Sequence, residues 1–473
     1  MMPSRLAAGD GRSRSSRSSR VMRRLRACLA IVLPAACAIA AHAGDRVDAH
    51  DASASAQRIE ADVRILADDR MAGRAIGSEG LDRALRMTAE RFAEIGLLPA
   101  FPERASGKDR LAGYFQPFVA EGKPASANVV GILRRTGGQA GGEASRDLDA
   151  SVVVIGAHAD HLGVDPNSSA QDRIFNGADD NASGVAALLE IARALSGTVG
   201  QPGDRGIVFV VFSGEESGLL GSRYFVEHRP AAARHPMVML NLDSVGRLRD
   251  RQLIVFGAAT AQEFDRALRG VNQRFGFDLV LRRADSGASD QTSFVTAGVP
   301  GLHFFTGAHA DYSKVSDEAD GVNFAGVAQV ADFVSELARY LSYRQRPLTF
   351  VAPKRETGAS AAAAAGPPPG AVGSPPAGQS QGPQARRVSL GFMPDFATEG
   401  EGVKVGPVSP GGAAEAAGIQ AGDTIVALDG EPVASLAEYA AMLRQYGPGD
   451  QVIVSVLRGG SKIDLPAIVQ ERK

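Results

Sequence analysis

The segment at 151–160 reads SVVVIGAHAD. Its apolar run, 151–157, has the length and the β-branched content of a buried strand. Two side chains that can do chemistry, His158 and Asp160, follow the run directly. The stretch therefore predicts a strand that delivers polar groups at its carboxyl end.

The same type of strand recurs along the chain, and helical patterns separate several of the copies. Strand-like runs fall at 207–212, 237–242, 253–256 and 301–305, and helical patterns at 59–96, 184–194, 261–275 and 322–340. Alternation of this kind is typical of a largely parallel sheet that helices cover on both faces. We predict an α/β fold with a largely parallel, mixed sheet flanked by helices.

Acids and histidines follow the ends of four of these strands. Besides His158 and Asp160 they are Glu215 and Glu216, Asp243 and His309, and a loop before a helix adds Asp179 and Asp180. Each has an ordinary alternative, such as a solvated surface acid or a helix cap. Strand ends of an open α/β sheet meet at one crevice, however, so these side chains are expected to form one site.

The donor atoms available to a metal here are nitrogen and oxygen. Both cysteines, Cys28 and Cys37, lie before residue 44. A zinc ion bound after that point must therefore be held by imidazole and carboxylate groups.

Four motifs resemble the zinc aminopeptidase family M28, over residues from about 55 to about 345. They are GAHADH at 156–161, GADDNASG at 177–184, SGEESGLLGS at 213–222 and NLD at 241–243. The resemblance implies a peptidase with two zinc ions per chain, which share one bridging carboxylate and activate a water molecule.

The resemblance also implies a role for each residue of the site. His158 and Glu216 would bind one zinc ion, Asp243 and His309 the other, and Asp180 would bridge them. Glu215 would be the general base, and Asp160 would hydrogen-bond the far nitrogen of His158. The neighbouring residues His161 and Asp179 are left outside the predicted set.

The chain departs from the family pattern at two positions. Ser313 stands where many relatives carry a second histidine after a tyrosine, and Gln291 stands where histidine is common. Substrate contacts and the group that stabilises the oxyanion are therefore open. Tyr312 is a candidate for that group, with a packing role as its alternative.

The amino-terminal segment has the pattern of a signal peptide. Residues 1–26 carry eight arginines, residues 29–40 are apolar, and Ala41-His42-Ala43 fits a cleavage site. The apolar stretch is too short to span a bilayer, so we predict an exported bacterial protein, periplasmic or secreted, whose mature chain has no membrane span. A disordered basic tail is the alternative, and the export route is open.

Loss of residues 1–43 would remove eight arginines and one aspartate and shift the formal net charge from −2 to −9. A mature chain this acidic argues against nucleic acid as a partner.

The carboxy-terminal part is predicted to be a separate domain. Residues 351–386 are rich in Pro, Ala and Gly and read as a linker between the domain 44–350 and the segment 387–473. That segment resembles a PDZ domain, through SLGF at 389–392, AGDTIV at 421–426 and a hairpin turn at Asp429-Gly430. The resemblance implies capture of protein carboxyl termini.

Three functions are weighed from the sequence. The leading prediction is a di-zinc aminopeptidase acting on peptides or proteins. A glutaminyl cyclase shares the fold but uses one zinc ion and an aromatic pocket, and the chain has no tryptophan. An inactive binding protein, with the PDZ-like domain as its working part, is the third possibility.

Overall fold

A computed structural model describes residues 49–133, 151–196, 205–352 and 388–471 of the chain, with short internal gaps. The gaps are 106, 108, 167–169, 345, 396–401, 410, 434–438, 440–441 and 444. The predicted signal peptide lies outside the described residues, as does all of the predicted linker after Ala352.

The described amino-terminal part, residues 49–352, is an α/β domain. Its helices are α1 (Ala49–Leu66), α2 (Glu79–Ile95), α3 (Gly184–Ser196), α4 (Leu220–Glu227), α5 (Phe264–Phe275), α6 (Gln291–Thr296) and α7 (Phe324–Tyr343). Its strands are β1 (Leu98–Pro99), β2 (Phe115–Phe118), β3 (Ser126–Leu133), β4 (Val152–His158), β5 (Gly163–Val164), β6 (Ile174–Phe175), β7 (Ile207–Phe212), β8 (Pro236–Leu242), β9 (Gln252–Phe256), β10 (Asp278–Leu281) and β11 (Gly301–Phe305).

The main sheet has the order β1-β3-β7-β4-β8-β11-β9-β10, with β2 paired to β3. The four central strands β7, β4, β8 and β11 run parallel to one another. Strand β3 joins β7 antiparallel, and β9 joins β11 antiparallel. The sheet is therefore mixed with a parallel centre, as predicted, and the carboxyl ends of its central strands meet at one edge.

The central strands are buried on both faces, and successive residues of β4 alternate between two apolar clusters. Val153 and Ile155 belong to the larger cluster, with residues of α1, α2, α3 and α7. Val152 and Val154 belong to the smaller one, which includes Phe225 of α4 and other aromatic rings. This period-two alternation fixes the register of the strand and so fixes where His158 emerges.

The predicted strands are present to within one residue at each end, whereas one predicted helix is divided. The helical pattern of 59–96 forms two helices, α1 and α2, with a tight turn between them. In that turn Ala72, Gly73 and Arg74 all have positive φ, and the Ser78 side chain then accepts a hydrogen bond from the Leu81 backbone to begin α2. An amphipathic pattern does not reveal such a break.

The described residues 388–471 form a small, mainly antiparallel β region. Its strands are β12 (Val388–Ser389), β13 (Phe392–Pro394), β14 (Val403–Val408), β15 (Thr424–Leu428), β16 (Glu431–Pro432), β17 (Gln451–Arg458), β18 (Ser461–Ile468) and β19 (Gln470–Glu471), with the short helix α8 (Ala413–Ala416). Its apolar core shares no residue with the cores of the α/β domain.

The predicted hairpin turn of this region is present. Asp429 and Gly430 both have positive φ, and they connect the antiparallel strands β15 and β16. The sequence also predicts a helix at 436–443, and this segment lies largely outside the described residues. None of the helices in the described ranges combines the length and the apolar character needed to cross a bilayer.

Candidate metal centre

The strand order brings the chemistry-bearing residues together. His158 is the last residue of β4, and β4 lies between β7 and β8 in the sheet. Glu215 and Glu216 follow β7, and Asp243 follows β8. Residues after neighbouring parallel strands share one edge of the sheet, so these side chains face a common centre.

The first cluster contains His158, Asp180 and Asp243, all buried. The Nε2 atom of His158 lies 3.4 Å from Asp180 Oδ1 and 3.4 Å from Asp243 Oδ1. Ligand atoms on one tetrahedral zinc ion, at bonds of about 2.0–2.1 Å, are separated by about 3.3–3.4 Å. The spacing of this cluster therefore suits a zinc ion.

The second cluster contains His161, Asp180 and Glu216. The Nδ1 atom of His161 lies 2.9 Å from Glu216 Oε1 and 4.0 Å from Asp180 Oδ1. Asp180 belongs to both clusters, so its carboxylate stands where a bridge between two ions would stand.

The candidate ligands are grouped differently from the sequence expectation. His158 lies in a cluster with Asp243, whereas the expectation put it with Glu216. His309 lies in neither cluster formed by the described residues. Its Nε2 atom is 3.1 Å from Asp179 Oδ2, and its Nδ1 atom is 3.7 Å from Asp311 Oδ2.

Asp160 occupies the expected place but makes different contacts. Its carboxylate oxygens accept the backbone N–H groups of Glu215 (3.1 Å) and Glu216 (3.2 Å). The Nδ1 atom of His158 lies 3.1 Å from the Asp160 backbone carbonyl but 3.8 Å from its carboxylate. The Asp160 side chain points towards Glu215 and Glu216 because their two backbone N–H donors need an acceptor. Asp160 thus orients His158 through its backbone and Glu215–Glu216 through its side chain.

Asp180 lies in an irregular turn, Ala178–Ser183, that leads directly into α3. The Asp317 carboxylate accepts the backbone N–H groups of Asp179 (2.9 Å) and Asp180 (3.1 Å). Asn181 completes the turn, since its Oδ1 atom accepts the N–H groups of Gly184 and Ser244. The turn is held by side chains on both sides, which fixes the Asp180 carboxylate in place.

Asp243 is held by a chain of hydrogen bonds that includes Gln291. The Ser289 hydroxyl donates to Asp243 Oδ2 at 2.7 Å, and Asn241 Nδ2 donates to Ser289 Oγ at 2.7 Å. Asn241 also donates to Gln291 Oε1, at 3.1 Å. Gln291, one of the two departures from the family pattern, therefore supports a member of the first cluster from behind.

The centre concentrates negative charge out of water. Burial and the like charges of Glu216 and Asp243 raise the pKa of Asp180 well above its usual range. Burial also raises the pKa of Glu215 well above its usual range, with Glu216 and Asp243 contributing. Burial lowers the pKa of His158, but Asp243, Glu215 and Asp180 together raise it well above its ordinary value.

A buried arginine ties the loops of the centre to one another. Arg74 is 1% exposed. Its guanidinium donates to the backbone carbonyls of Ala159 (2.7 Å), Asn176 (2.6 Å) and Gly177 (3.0 Å) as well as Leu66 (2.6 Å). Burial lowers its pKa to about 10, against the opposing effect of Asp180, so it stays charged at neutral pH.

Two residues of the centre were not predicted from the sequence. His161 lies outside the predicted set, although it follows His158 by three residues in the HADH segment. Arg74 carries no signal beyond an arginine inside the otherwise small and apolar stretch 71–76. Its role depends on a left-handed turn that sequence pattern does not encode.

The described donors fit a zinc centre. The two clusters offer imidazole nitrogen and carboxylate oxygen only, which is the donor set of zinc sites without thiolate. Several carboxylates are buried beside one another, an arrangement that a bound cation would stabilise.

The fold and the centre define an α/β protein with a metal-binding crevice at the carboxyl edge of its sheet, followed by a small β domain. Residues 135–338 match the model of Peptidase family M28, and residues 404–458 match a PDZ domain model. Residues 135–338 are thus similar to the peptidases of family M28, and residues 404–458 to PDZ domains.

Curated relatives match part of the chain. Aminopeptidase YwaD of Bacillus subtilis (strain 168) is 31% identical over 194 residues, which is 39% of this chain and 40% of the relative. Leupeptin-inactivating enzyme 1 of Streptomyces exfoliatus is 33% identical over 169 residues, 34% of this chain and 37% of the relative. The match therefore spans about two-fifths of the length of each relative. The solved structure of Legionella pneumophila LapA aminopeptidase covers 63% of this chain and 76% of its own, at 19% identity and a TM-score of 0.47.

Proposed function

We propose that the chain is an exported metallo-aminopeptidase whose acidic centre holds two zinc ions and removes residues from the amino end of peptides or proteins. One observation carries the proposal: the Asp180 carboxylate belongs to both ligand clusters, with His158 and Asp243 on one side and Glu216 on the other. A shared carboxylate is what a two-metal hydrolytic site requires. The choice of an aminopeptidase among peptidases rests on the names of the relatives, such as aminopeptidase YwaD.

Zinc ions held there would supply Lewis acidity, polarising the scissile carbonyl and making a water molecule easier to deprotonate. The Glu215 carboxylate would take the proton of the attacking water and deliver it to the leaving amine. Burial raises the pKa of Glu215 well above its usual range, which suits a group that both accepts and gives a proton near neutral pH. Asp160 fixes its backbone, and so holds the base in position.

Tyr312 is proposed as the donor to the developing oxyanion. Burial and the nearby charges of Asp180 and Asp243 raise its pKa well above its usual range. The phenol therefore keeps its proton at working pH and can donate a hydrogen bond. Its ring packs edge-on against Phe305, which limits its movement.

The PDZ domain is proposed to bind the carboxyl termini of long substrates or of partner proteins. Capture by strand addition would raise the local concentration of such chains at the peptidase domain. The amino-terminal pattern supports export with cleavage after Ala43. Amino-terminal sequencing of the protein recovered outside the cytoplasm is expected to begin at Gly44.

A panel of substrates tests the proposed activity. The chelated full chain, given back zinc, is expected to hydrolyse aminoacyl p-nitroanilides and to release amino-terminal residues from free peptides. The same peptides with an acetylated amino end are the matched control, and they are expected to resist. Equal cleavage of both sets would contradict an aminopeptidase, and release from the carboxyl end alone would indicate a carboxypeptidase.

A further inference from the structure

Two buried histidines, His161 and His309, are candidates to bind a second ion of the centre. They face different carboxylates. His161 is 2% exposed and faces Glu216 and Asp180 through Nδ1. His309 is 5% exposed and faces Asp179 and Asp311, which belong to neither cluster. Only one of the two therefore already faces the carboxylates that would hold the ion.

The ring of His161 occupies a niche shaped for it. A Cβ atom at Gly177 would come within 2.5 Å of His161 Cδ2 and 2.7 Å of Cγ, so the absence of a side chain at 177 makes room for the ring. The His161 backbone N–H donates to the Arg74 carbonyl at 3.2 Å, and the Arg74 guanidinium donates to the Gly177 carbonyl at 3.0 Å. The imidazole is thus fixed between the loop after β4 and the loop that carries Asp180.

His309 faces a different carboxylate. Asp179 is fully buried, and its Oδ1 atom accepts the Gly246 N–H at 2.5 Å and the Ser183 hydroxyl at 3.1 Å. These two donors hold the Asp179 carboxylate in place, and its Oδ2 atom lies 3.1 Å from His309 Nε2. For His309 to reach Glu216, the contact with Asp179 would have to break. Ser313, where many relatives carry a second histidine, offers no imidazole in its place.

We propose that His161, through Nδ1, is the imidazole ligand of the second zinc ion, and that His309 is a positioning residue for Asp179. The HADH segment, 158–161, would then supply one histidine to each ion. Asp180 would bridge them, Asp243 would complete the protein ligands of the first, and Glu216 would join His161 on the second. This inference rests on the two-zinc function proposed above and goes beyond it by assigning the second ion its nitrogen donor.

Matched deletions of the two imidazoles test the assignment. The full chain, His161→Ala and His309→Ala are stripped of metal and titrated with zinc, with the zinc count read by native mass spectrometry and the dissociation constants by a competing chelator. His161→Ala is expected to bind the first ion with the dissociation constant of the unmodified chain. It should bind the second ion more than about 100-fold more weakly, a larger loss than removal of a residue that only supports a ligand causes. His309→Ala is expected to bind two ions, the second within about tenfold of the unmodified chain.

X-ray absorption of the zinc-loaded proteins provides a readout independent of activity. Two zinc-bound imidazoles per two ions are expected for the full chain and for His309→Ala, and one for His161→Ala. Should His161→Ala be unfolded in its metal-free form, His161→Gln keeps most of the side-chain volume and takes its place, with the same loss of one imidazole.

The outcomes separate the two proposals. If His161→Ala keeps both ions at the dissociation constants of the full chain, or if His309→Ala loses the second ion, the assignment of His161 is wrong while the two-zinc centre stands. If the unmodified chain itself binds fewer than two ions, the proposed centre fails and the assignment fails with it.

Discussion

The α/β domain buries two groups of carboxylates, and their neighbours differ. One group, the helix network, lies between α1, α2 and α3: Glu190 accepts hydrogen bonds from Ser55, Arg58 and Arg193, and Asp62 from Arg91 and Arg193. The other group, the acidic centre, comprises Asp180, Asp243, Glu215 and Glu216 around His158 and His161.

The pKa values follow the partners. Burial raises the pKa of Glu190, but Arg58 and Ser55 more than offset it and hold it below its usual value. Burial raises the pKa of Asp180 too, and there the charges of Glu216 and Asp243 raise it further, against the opposing effect of His158. Guanidinium groups of the chain therefore complete the helix network, whereas the acidic centre is short of positive charge. The difference marks the acidic centre as the place for a cation from outside the chain.

The largest expected effect comes from removing the shared carboxylate. Asp180→Ala should lose both zinc ions and reduce kcat/KM by about 10³-fold or more, because the Lewis acidity of both ions goes with it. Zinc content and hydrolysis of an aminoacyl substrate measure this change.

Glu190→Ala is the matched control from the helix network. It should keep two zinc ions and near-normal kcat/KM, but lose about 1–3 kcal/mol of unfolding free energy, since buried donors are left without an acceptor. Loss of zinc in Glu190→Ala, or retention of both ions in Asp180→Ala, would contradict the assignment of zinc binding to the acidic centre and not to the helix network.

Substitutions of the adjacent residues Glu215 and Glu216 should separate zinc binding from catalysis. Glu215→Gln is expected to keep both ions and lose about 10²–10⁴-fold in kcat, because an amide cannot take the proton of water. Glu216→Gln should instead weaken the second ion, since Glu216 Oε1 lies in the cluster with Asp180. Zinc titration and steady-state kinetics on both variants decide the roles, and a reversed pattern would exchange them.

The central strands and their polar ends follow from the sequence because buried strands of a parallel sheet are continuous apolar runs. For this reason 207–212 and 301–305 are predicted to the residue, and His158, Asp180, Glu216 and Asp243 are brought together at one edge. The grouping of those ligands depends on the sheet order, which a single sequence does not contain. The direction of His161 and His309 depends on Gly177 and Asp179, residues whose contacts appear only once the loops are folded.

Metal-free protein should be destabilised as the pH rises. The folded-state pKa values of Asp180 and Glu215 are raised, and so is that of His158, so each binds more protons when folded and loses its favourable contribution as pH rises through its folded pKa. Glu190 and Asp243, whose pKa values are lowered, act in the opposite sense, and their contributions are lost on acidification below about pH 4. Burial also lowers the pKa of His303, and this group opposes the fall near neutral pH.

We therefore expect the Tm of the chelated chain to fall as the pH rises above the usual carboxyl range, about pH 4. Zinc should remove most of that fall, since zinc takes the place of the protons. Thermal unfolding with and without zinc measures both slopes, and chelated Asp180→Asn is the control, with a shallower slope. A chelated Tm that rises steadily from pH 5 to pH 8 would contradict the charge imbalance assigned to the acidic centre.

The smallest expected effect concerns the PDZ domain. A chain that ends at Ala352 keeps the contact between Ala261 and Phe350 that closes the peptidase domain. It should hydrolyse short aminoacyl substrates within about twofold of the full chain, because the apolar cores are separate.

The truncated chain should hydrolyse long peptides with a free carboxyl end more slowly than the full chain does. Amidated peptides should show no such difference, since amidation removes the group to be captured. Steady-state rates for both peptides on both proteins test this. Loss of activity on short substrates would make the PDZ domain part of the catalytic unit, and an amidation-insensitive full chain would exclude carboxylate capture.

Zinc titration of the full chain tests the proposed two-zinc centre and its peptidase activity together. Zinc is added stepwise to the chelated full chain, and the zinc count by native mass spectrometry and the hydrolysis of an aminoacyl substrate are followed in parallel. Two ions per chain are expected to bind, with full activity reached only as the second ion binds. Full activity with one ion, or no zinc bound when two equivalents of the metal have been added, would contradict the proposal.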